Sequence, residues 1–258
     1  MLAPRETGHS STLRSTLSYR TLAWRGPAAF ADSDQPVREV SVYDGLVSLE
    51  IPESWNEIPP EVLEFYSLRS AEASGGRTAE IYQHGFRLGE PEADFAPPQI
   101  LIQIRESGRI PYGSLLHLPP VDILRERSSS KMSALQGPFL AGAVLNQVSF
   151  DRERFTLRVD STLDLALEGK VLVSSTSFLT ERGTFTLHCY SLLEQNLRLR
   201  PVYDRVLASV RLDDAIRYRP RLADRLPRGA ALAAYTVAVV LAVAIVLARL
   251  TRRRRRPS

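Results

Sequence analysis

The chain predicts an α+β fold, a mainly antiparallel sheet flanked by helices, followed by one C-terminal transmembrane helix. Three observations predict it. Short apolar runs with period-two alternation, such as Ile100, Ile102 and Ile104, recur between turn signals and read as strands. Prolines near residues 60, 120 and 201 stand where helices begin, followed by acidic residues or by apolar residues at helical spacing. Ala230 to Ala248 are nineteen residues without a charge. As a helix rising ~1.5 Å per residue they cover roughly the 30 Å hydrocarbon core of a bilayer.

Taken in order, residues 1–36 are rich in Ser, Thr, Arg and Pro without sustained periodicity and read as a leader or disordered extension. Leu13 to Ala31 resembles an export signal only in its end, Ala29-Phe30-Ala31, because Arg20 and Arg25 break the apolar stretch. The folded domain is expected over 37–216. Val40 to Tyr43 and Leu46 to Ile51 predict a hairpin closed by Asp44-Gly45. Pro59 and Pro60 open a helix that ends before Gly75-Gly76. Ala79 to Leu88 and Gln99 to Arg105 read as strands around a solvated acidic loop with Glu90, Glu92 and Asp94, and a second helix follows Pro119-Pro120. Three long strand-like runs come next: Ala143 to Ser161, divided at Asp151 to Glu153, then Lys170 to Thr180, then Thr184 to Leu192. A last helix opens at Pro201 and places Val202, Val206, Leu207 and Val210 on one face. Hairpin, helix, strands, helix, antiparallel run and closing helix together make an α+β sandwich. Beyond it lie a basic juxtamembrane linker (217–229), the transmembrane helix (230–250) and an Arg-rich tail (251–258).

Charge separates these parts. The formal charge of +4 conceals eleven arginines and a single acid, Asp224, between Arg217 and Ser258, so that stretch carries +10 and residues 1–216 carry −6. Basic charge confined to the flanks of an apolar run argues against nucleic-acid binding and for a membrane anchor. Arg252, Arg253, Arg254, Arg255 and Arg256 read as a stop-transfer signal. Six arginines end or follow the run and five precede it, so the positive-inside bias places the C-terminus in the cytoplasm and the domain outside, on a bacterial inner membrane. Of the 33 basic residues all but Lys131 and Lys170 are arginine, a bias pointing to a GC-rich bacterial genome. Ala230, Ala234, Ala238 and Ala242 form the small-residue stripe through which two such helices can pair.

Ile51-Pro52-x-x-Trp55, the stretch from Ala143 to Leu192 and the ending Ala208-Ser209-Val210 resemble the PsbP-like superfamily. Trp55-x-x-Ile58-Pro59-x-x-Val62, Tyr82-Gln83-x-Gly85-Phe86, Ile100-Leu101-Ile102-Gln103 and Ser107-Gly108-Arg109-Ile110-Pro111 are similar to bacterial membrane-anchored proteins of that type. The resemblance spans roughly residues 38 to 212. It implies an α/β/α sandwich and an extracytoplasmic domain, and it implies no reaction and no cofactor.

No catalytic motif of wide reach is present. Four histidines, at 9, 84, 117 and 188, make no H-E-x-x-H and no local zinc site, leaving only a meeting of His84 and His188 in space. Cys189 alternates with Phe185 and Leu187 and reads as a small buried hydrophobe. Ser128 and Lys131 fit S-x-x-K, the spacing by which a lysine activates a serine nucleophile, without the partner motifs of that enzyme class. Trp55, Tyr82 and Tyr112 are candidates for an aromatic binding groove. The leading expectation is a single-pass, membrane-anchored, non-catalytic interaction module whose acidic domain meets a protein partner. The alternatives are an envelope serine hydrolase using Ser128 and Lys131, and a membrane-tethered small-ligand binder.

Overall fold

A computed structural model describes residues 35–73, 81–89, 97–116, 118–120, 122–126, 140–165, 169–221 and 224. In chain order the elements are β1 (Val37–Val42), β2 (Val47–Pro52), β3 (Trp55–Glu57), α1 (Pro60–Ala73), β4 (His84–Leu88), β5 (Gln99–Arg105), β6 (Leu140–Asp151), β7 (Thr156–Leu165), β8 (Gly169–Leu179), β9 (Thr184–Leu192), α2 (Asn196–Ser209) and β10 (Arg211–Leu212). They form two antiparallel sheets, a small one in the order β1-β2-β10 and a seven-stranded one in the order β3-β4-β5-β9-β8-β7-β6.

The Asp44-Gly45 signal makes the first hairpin. Asp44 (φ 55°) and Gly45 (φ 82°) hold the left-handed conformation that a two-residue type I′ loop requires, and the Leu46 amide donates to the Tyr43 carbonyl at 3.0 Å. The second hairpin turns after Asp151, whose carboxylate accepts from the amides of Glu153 and Arg154.

The centre of the seven-stranded sheet is covered on both faces, which accounts for the nearly continuous apolar reading of its central strands. One face carries Phe86, Ile100, Ile102, Phe185, Leu187 and Cys189 against the small sheet and α2, which contribute Val47, Leu49, Ile51, Leu199, Tyr203 and Val206. The opposite face carries Leu101, Val171, Val173 and Tyr190 beneath Leu63 and Tyr66 of α1. Gly85 permits that second layer: a Cβ there would stand 2.9 Å from the side-chain ends of both Leu101 and Leu63. The glycine of the Tyr82-Gln83-x-Gly85-Phe86 motif is therefore a packing requirement of α1 on the sheet.

Several sequence expectations are corrected. α2 begins at Asn196, five residues before Pro201, which lies inside the helix. The Gln195 carbonyl accepts from the amides of Arg198 and Leu199, and buried Leu199 fixes this first turn to the core, outweighing the hydrogen bond that Pro201 cannot donate. The strand expected from Ala79 begins at His84; residues 81–83 precede it, joined to β5 through the Gln83 amide and the Ile102 carbonyl at 3.0 Å. The helix expected after Pro119-Pro120 is present over 122–126 among the described residues. Strands β3 and β10, three and two residues long, are too short for an alternating pattern to register. Among the described residues no helix is long and apolar enough to cross a membrane. The expected transmembrane helix (230–250), its alanine stripe and the stop-transfer arginines lie outside the described residues.

The ordered domain reaches beyond both expected boundaries. The Arg205 guanidinium donates to the Gln35 carbonyl at 3.1 Å, and the Glu53 backbone amide donates to the Pro36 carbonyl at 2.9 Å. At the other end Ile216 is fully buried in the main core, Arg217 bridges to Thr180, and Tyr218 is buried in a third cluster with Tyr112 and Leu179. The stretch expected to be a linker from 217 is folded against the domain as far as Arg221, and again at Asp224.

Candidate functional site

The turn between β1 and β2, the segment after β5, the turns β6–β7 and β8–β9, and the segment after β10 converge on one end of the sandwich. Three non-glycine residues with positive φ lie there, Tyr43 (55°), Asp44 (55°) and Phe155 (52°). Such conformations cost of order 1–3 kcal/mol and persist where surrounding contacts hold them. Tyr43 hydrogen-bonds to Glu106, and Phe155 packs edge-on against Tyr112 at 5.5 Å and lies 5.0 Å from Tyr218 between ring centres.

Arg109 stands at the centre of this end. Its guanidinium makes a bidentate pair with Asp224, donates from Nε to Glu181 at 3.0 Å and from Nη2 to the Arg219 carbonyl at 2.7 Å, and lies 4.4 Å from the centre of the Tyr218 ring. The planar fork of arginine suits this arrangement, and the point charge of a lysine does not. Glu181 completes the cluster by accepting from the Arg219 amide at 3.0 Å and from Arg221 Nη2 at 2.6 Å. Asp224 also accepts from the Arg221 amide at 2.7 Å. Tyr218 donates its hydroxyl proton to the Ile110 carbonyl at 2.8 Å and accepts from the Tyr112 amide at 3.0 Å. Every polar group of the cluster is thus engaged, as burial of charge demands.

The electrostatics agree with that geometry. Hydrogen bonding from Arg109 holds the Asp224 carboxyl below its ordinary value, against the opposing effect of burial. Burial pushes the Glu181 carboxyl upward, but the Arg219 amide and the Arg109 and Arg221 guanidiniums outweigh it and its value is also lowered. A carboxylate whose folded value lies below its unfolded one stabilises the fold at all pH above the unfolded value, and this contribution is lost as pH falls through the folded one. The cluster is therefore fully formed at neutral pH and opens only in acid below the ordinary carboxylate range. Beside it, an open depression of about 560 Å³ is lined by Glu181, Asp214, Ala215, Arg219 and Arg221. Four of these five residues are charged, whereas small-molecule pockets are lined predominantly by apolar side chains.

A second polar feature crosses the α1 side of the large sheet. Ser175 stands opposite His188, and Ser177 opposite Thr186, which is in turn opposite Gln103. Ser175 Oγ lies 2.8 Å from His188 Nδ1, and Ser177 Oγ lies 2.9 Å from Thr186 Oγ1. A serine beside an imidazole is half of a nucleophilic site, which needs a further group to orient the base. The neighbouring register positions hold Leu101, Val159, Val173 and Ser177, none of them a carboxylate. Ser175 and Ser177 are each paired across the strands.

The three aromatic candidates are not brought together. Trp55 lies in the main core, Tyr82 in the cluster beneath α1 with its hydroxyl 3.1 Å from that of Tyr190, and Tyr112 in the third cluster. His84 and His188 do not meet either. His84 stands opposite Ile102, on the α2 side of the sheet, whereas His188 stands opposite Leu101, on the α1 side. Cys189 is buried, and burial pushes its thiol up to about 12, so it is the inert hydrophobe its alternation suggests. Among the described residues no group of three or more His, Cys, Asp or Glu side chains is placed to hold a metal ion. Ser128, Lys131 and the acidic loop of Glu90, Glu92 and Asp94 lie outside the described residues. Sequence reasoning missed Arg109 and Glu181 as parts of a site. One signal was available: Asp224 is the only acid among eleven arginines after residue 216.

No family model matches the chain, and no curated protein matches it. Solved structures do. Cyanobacterial PsbP (CyanoP) from Synechocystis is 12% identical with a TM-score of 0.45, covering 74% of this chain and 98% of its own. The Ran-binding protein Mog1p from Saccharomyces cerevisiae is 10% identical with a TM-score of 0.39, covering 70% of this chain and 97% of its own. Both are PsbP-like superfamily folds. The likeness concerns the path of the chain and not its activity.

Proposed function

We propose that the chain is a single-pass membrane-anchored interaction module without catalytic activity, its α+β domain outside a bacterial inner membrane and its Arg-rich tail in the cytoplasm. The observation that carries this reading is the nineteen-residue uncharged run from Ala230, set between arginines and beginning six residues after Asp224, the last described residue. The domain adds support through its chemistry. The polar clusters described above are paired within themselves, and their ion pairs join one part of the chain to another. A net charge of −6 over residues 1–216 suits a basic protein partner. Membrane flotation tests the anchor: the full chain rises with bilayers and resists alkaline extraction, while a chain ended after Asp224 stays in the soluble fraction. Full-length chain released by alkaline extraction would overturn the reading.

A further inference from the structure

The Ser107-Gly108-Arg109-Ile110-Pro111 motif belongs to no catalytic or binding role described so far, yet among the described residues its arginine makes more polar contacts with the chain's exit segment than any other side chain at that end. Arg109 comes from the segment after β5. Glu181 comes from the β8–β9 turn, and both hold residues that follow β10: the Arg219 carbonyl and amide, the Arg221 side chain and Asp224. Backbone bonds extend the attachment, from the Glu181 amide to the Ile216 carbonyl at 2.9 Å and from the Asp213 amide to the Leu46 carbonyl at 2.9 Å. Asp224 is only 4% exposed although it lies at the edge of the described chain. An exposed ion pair would contribute little, whereas one held out of water by Tyr218 and a bidentate fork makes a discrete attachment.

We propose that Arg109 is a clasp that turns the segment before the apolar run from a flexible linker into a fixed strap, setting a short stand-off between domain and membrane. The clasp rests on the described geometry; the stand-off rests also on the membrane reading of residues 230–250. Thirteen free residues, 217–229, would reach at most about 45 Å, at roughly 3.5 Å per residue. With the clasp closed only the five residues between Asp224 and Ala230 remain, and their reach is about 18 Å. The end of the domain that carries Tyr43, Arg109 and Phe155 is then kept beside the bilayer, where it meets partners embedded in or lying on the membrane.

Hydrogen exchange on the full chain in lipid nanodiscs tests the clasp. Amides of residues 217–219, 221 and 224 should be as protected as the turns of the large sheet. Arg109→Gln should raise their exchange by about 30-fold or more, with β5, β8 and β9 unchanged, as for a local opening. Arg109→Lys should fall near the Gln variant, because the bidentate fork is lost. If Arg109→Gln does not fold, Glu181→Gln and Asp224→Asn each remove one arm and should raise exchange at the same amides. Free exchange of these amides in the unsubstituted chain, or no change in any of the variants, would overturn the clasp. A dye on Leu197→Cys, at a position 82% exposed, reads the stand-off by energy transfer to lipid-borne acceptors. Buried Cys189 leaves the introduced thiol as the reactive one. A narrow distance distribution that broadens in Arg109→Gln is expected, and an equally broad one in both chains would overturn the stand-off. A chain that exchanges as expected but does not stay with the lipid would refute the anchor while leaving the clasp intact.

Discussion

Trp55→Ala is expected to destabilise the domain by about 3–5 kcal/mol, the cost of emptying a large buried aromatic site. Trp55 is 2% exposed and meets Tyr203 edge to face, with ring centres 6.0 Å apart and planes at 76°. It stands where the small sheet, α2 and the first strand of the large sheet join, and its carbonyl accepts from Arg38 at 3.0 Å. The cavity left by alanine is bordered by β-strands on two sides and cannot collapse without parting them. Domains of this size hold only about 5–15 kcal/mol in total. Urea unfolding followed by circular dichroism should show a midpoint lowered by a large fraction of its value, and Trp55→Phe should recover much of the loss by keeping a ring against Tyr203. A stable Trp55→Ala domain that had lost only partner binding would return Trp55 to the surface role its aromatic character first suggests.

Gly183→Ala is the second large effect, expected to cost at least about 3 kcal/mol through backbone strain and overlap. Gly183 has φ +153°, and a Cβ there would lie 1.9 Å from the Arg105 carbonyl oxygen and 2.9 Å from the Ser107 amide nitrogen. Those are backbone atoms at the end of β5, and they cannot rotate aside as a side chain would. The β8–β9 turn is itself fixed by Thr180, whose hydroxyl accepts from the amides of Arg182 and Gly183, and whose amide donates to the Gly183 carbonyl. Relief of the overlap must separate this turn from the Ser107–Arg109 segment. That movement carries Glu181 away from Arg109, so the substitution should open the strap as well as lower stability. Gly89→Ala is the control. It also replaces a glycine at positive φ, but nothing lies within 4 Å of the added carbon, and its expected cost is only about 1 kcal/mol. Equal midpoints for the two variants in a thermal melt would contradict the packing described at Gly183.

Where local chemistry decides structure, the sequence is legible. The strands Gln99–Arg105 and Thr184–Leu192 match their expected limits residue for residue, because β-branched and aromatic residues run between clear turns. Asp44-Gly45 announces its own hairpin. The start of α2 is hidden by Pro201, since a helix that tolerates an internal proline does so through tertiary burial of Leu199, which no local pattern displays. Short β3 and β10 exist only because longer strands template them. The exit-end cluster is the least legible part. Arg109 and Asp224 lie 115 residues apart in sequence, and in composition Asp224 reads as one exception in a basic collar rather than as half of a buried pair. The basic charge after residue 216 consequently has two uses. Arg221 helps to close the strap, and the arginines beyond Ala248 flank the apolar run.

The most direct test of an outward-facing domain strapped to a single membrane segment is a pair of reporter fusions, one after Asp224 with residues 230–258 retained behind the reporter, and one after Ser258. A periplasm-active reporter should score at the first position and a cytoplasm-active reporter at the second. Cytoplasmic activity at both positions would contradict the account.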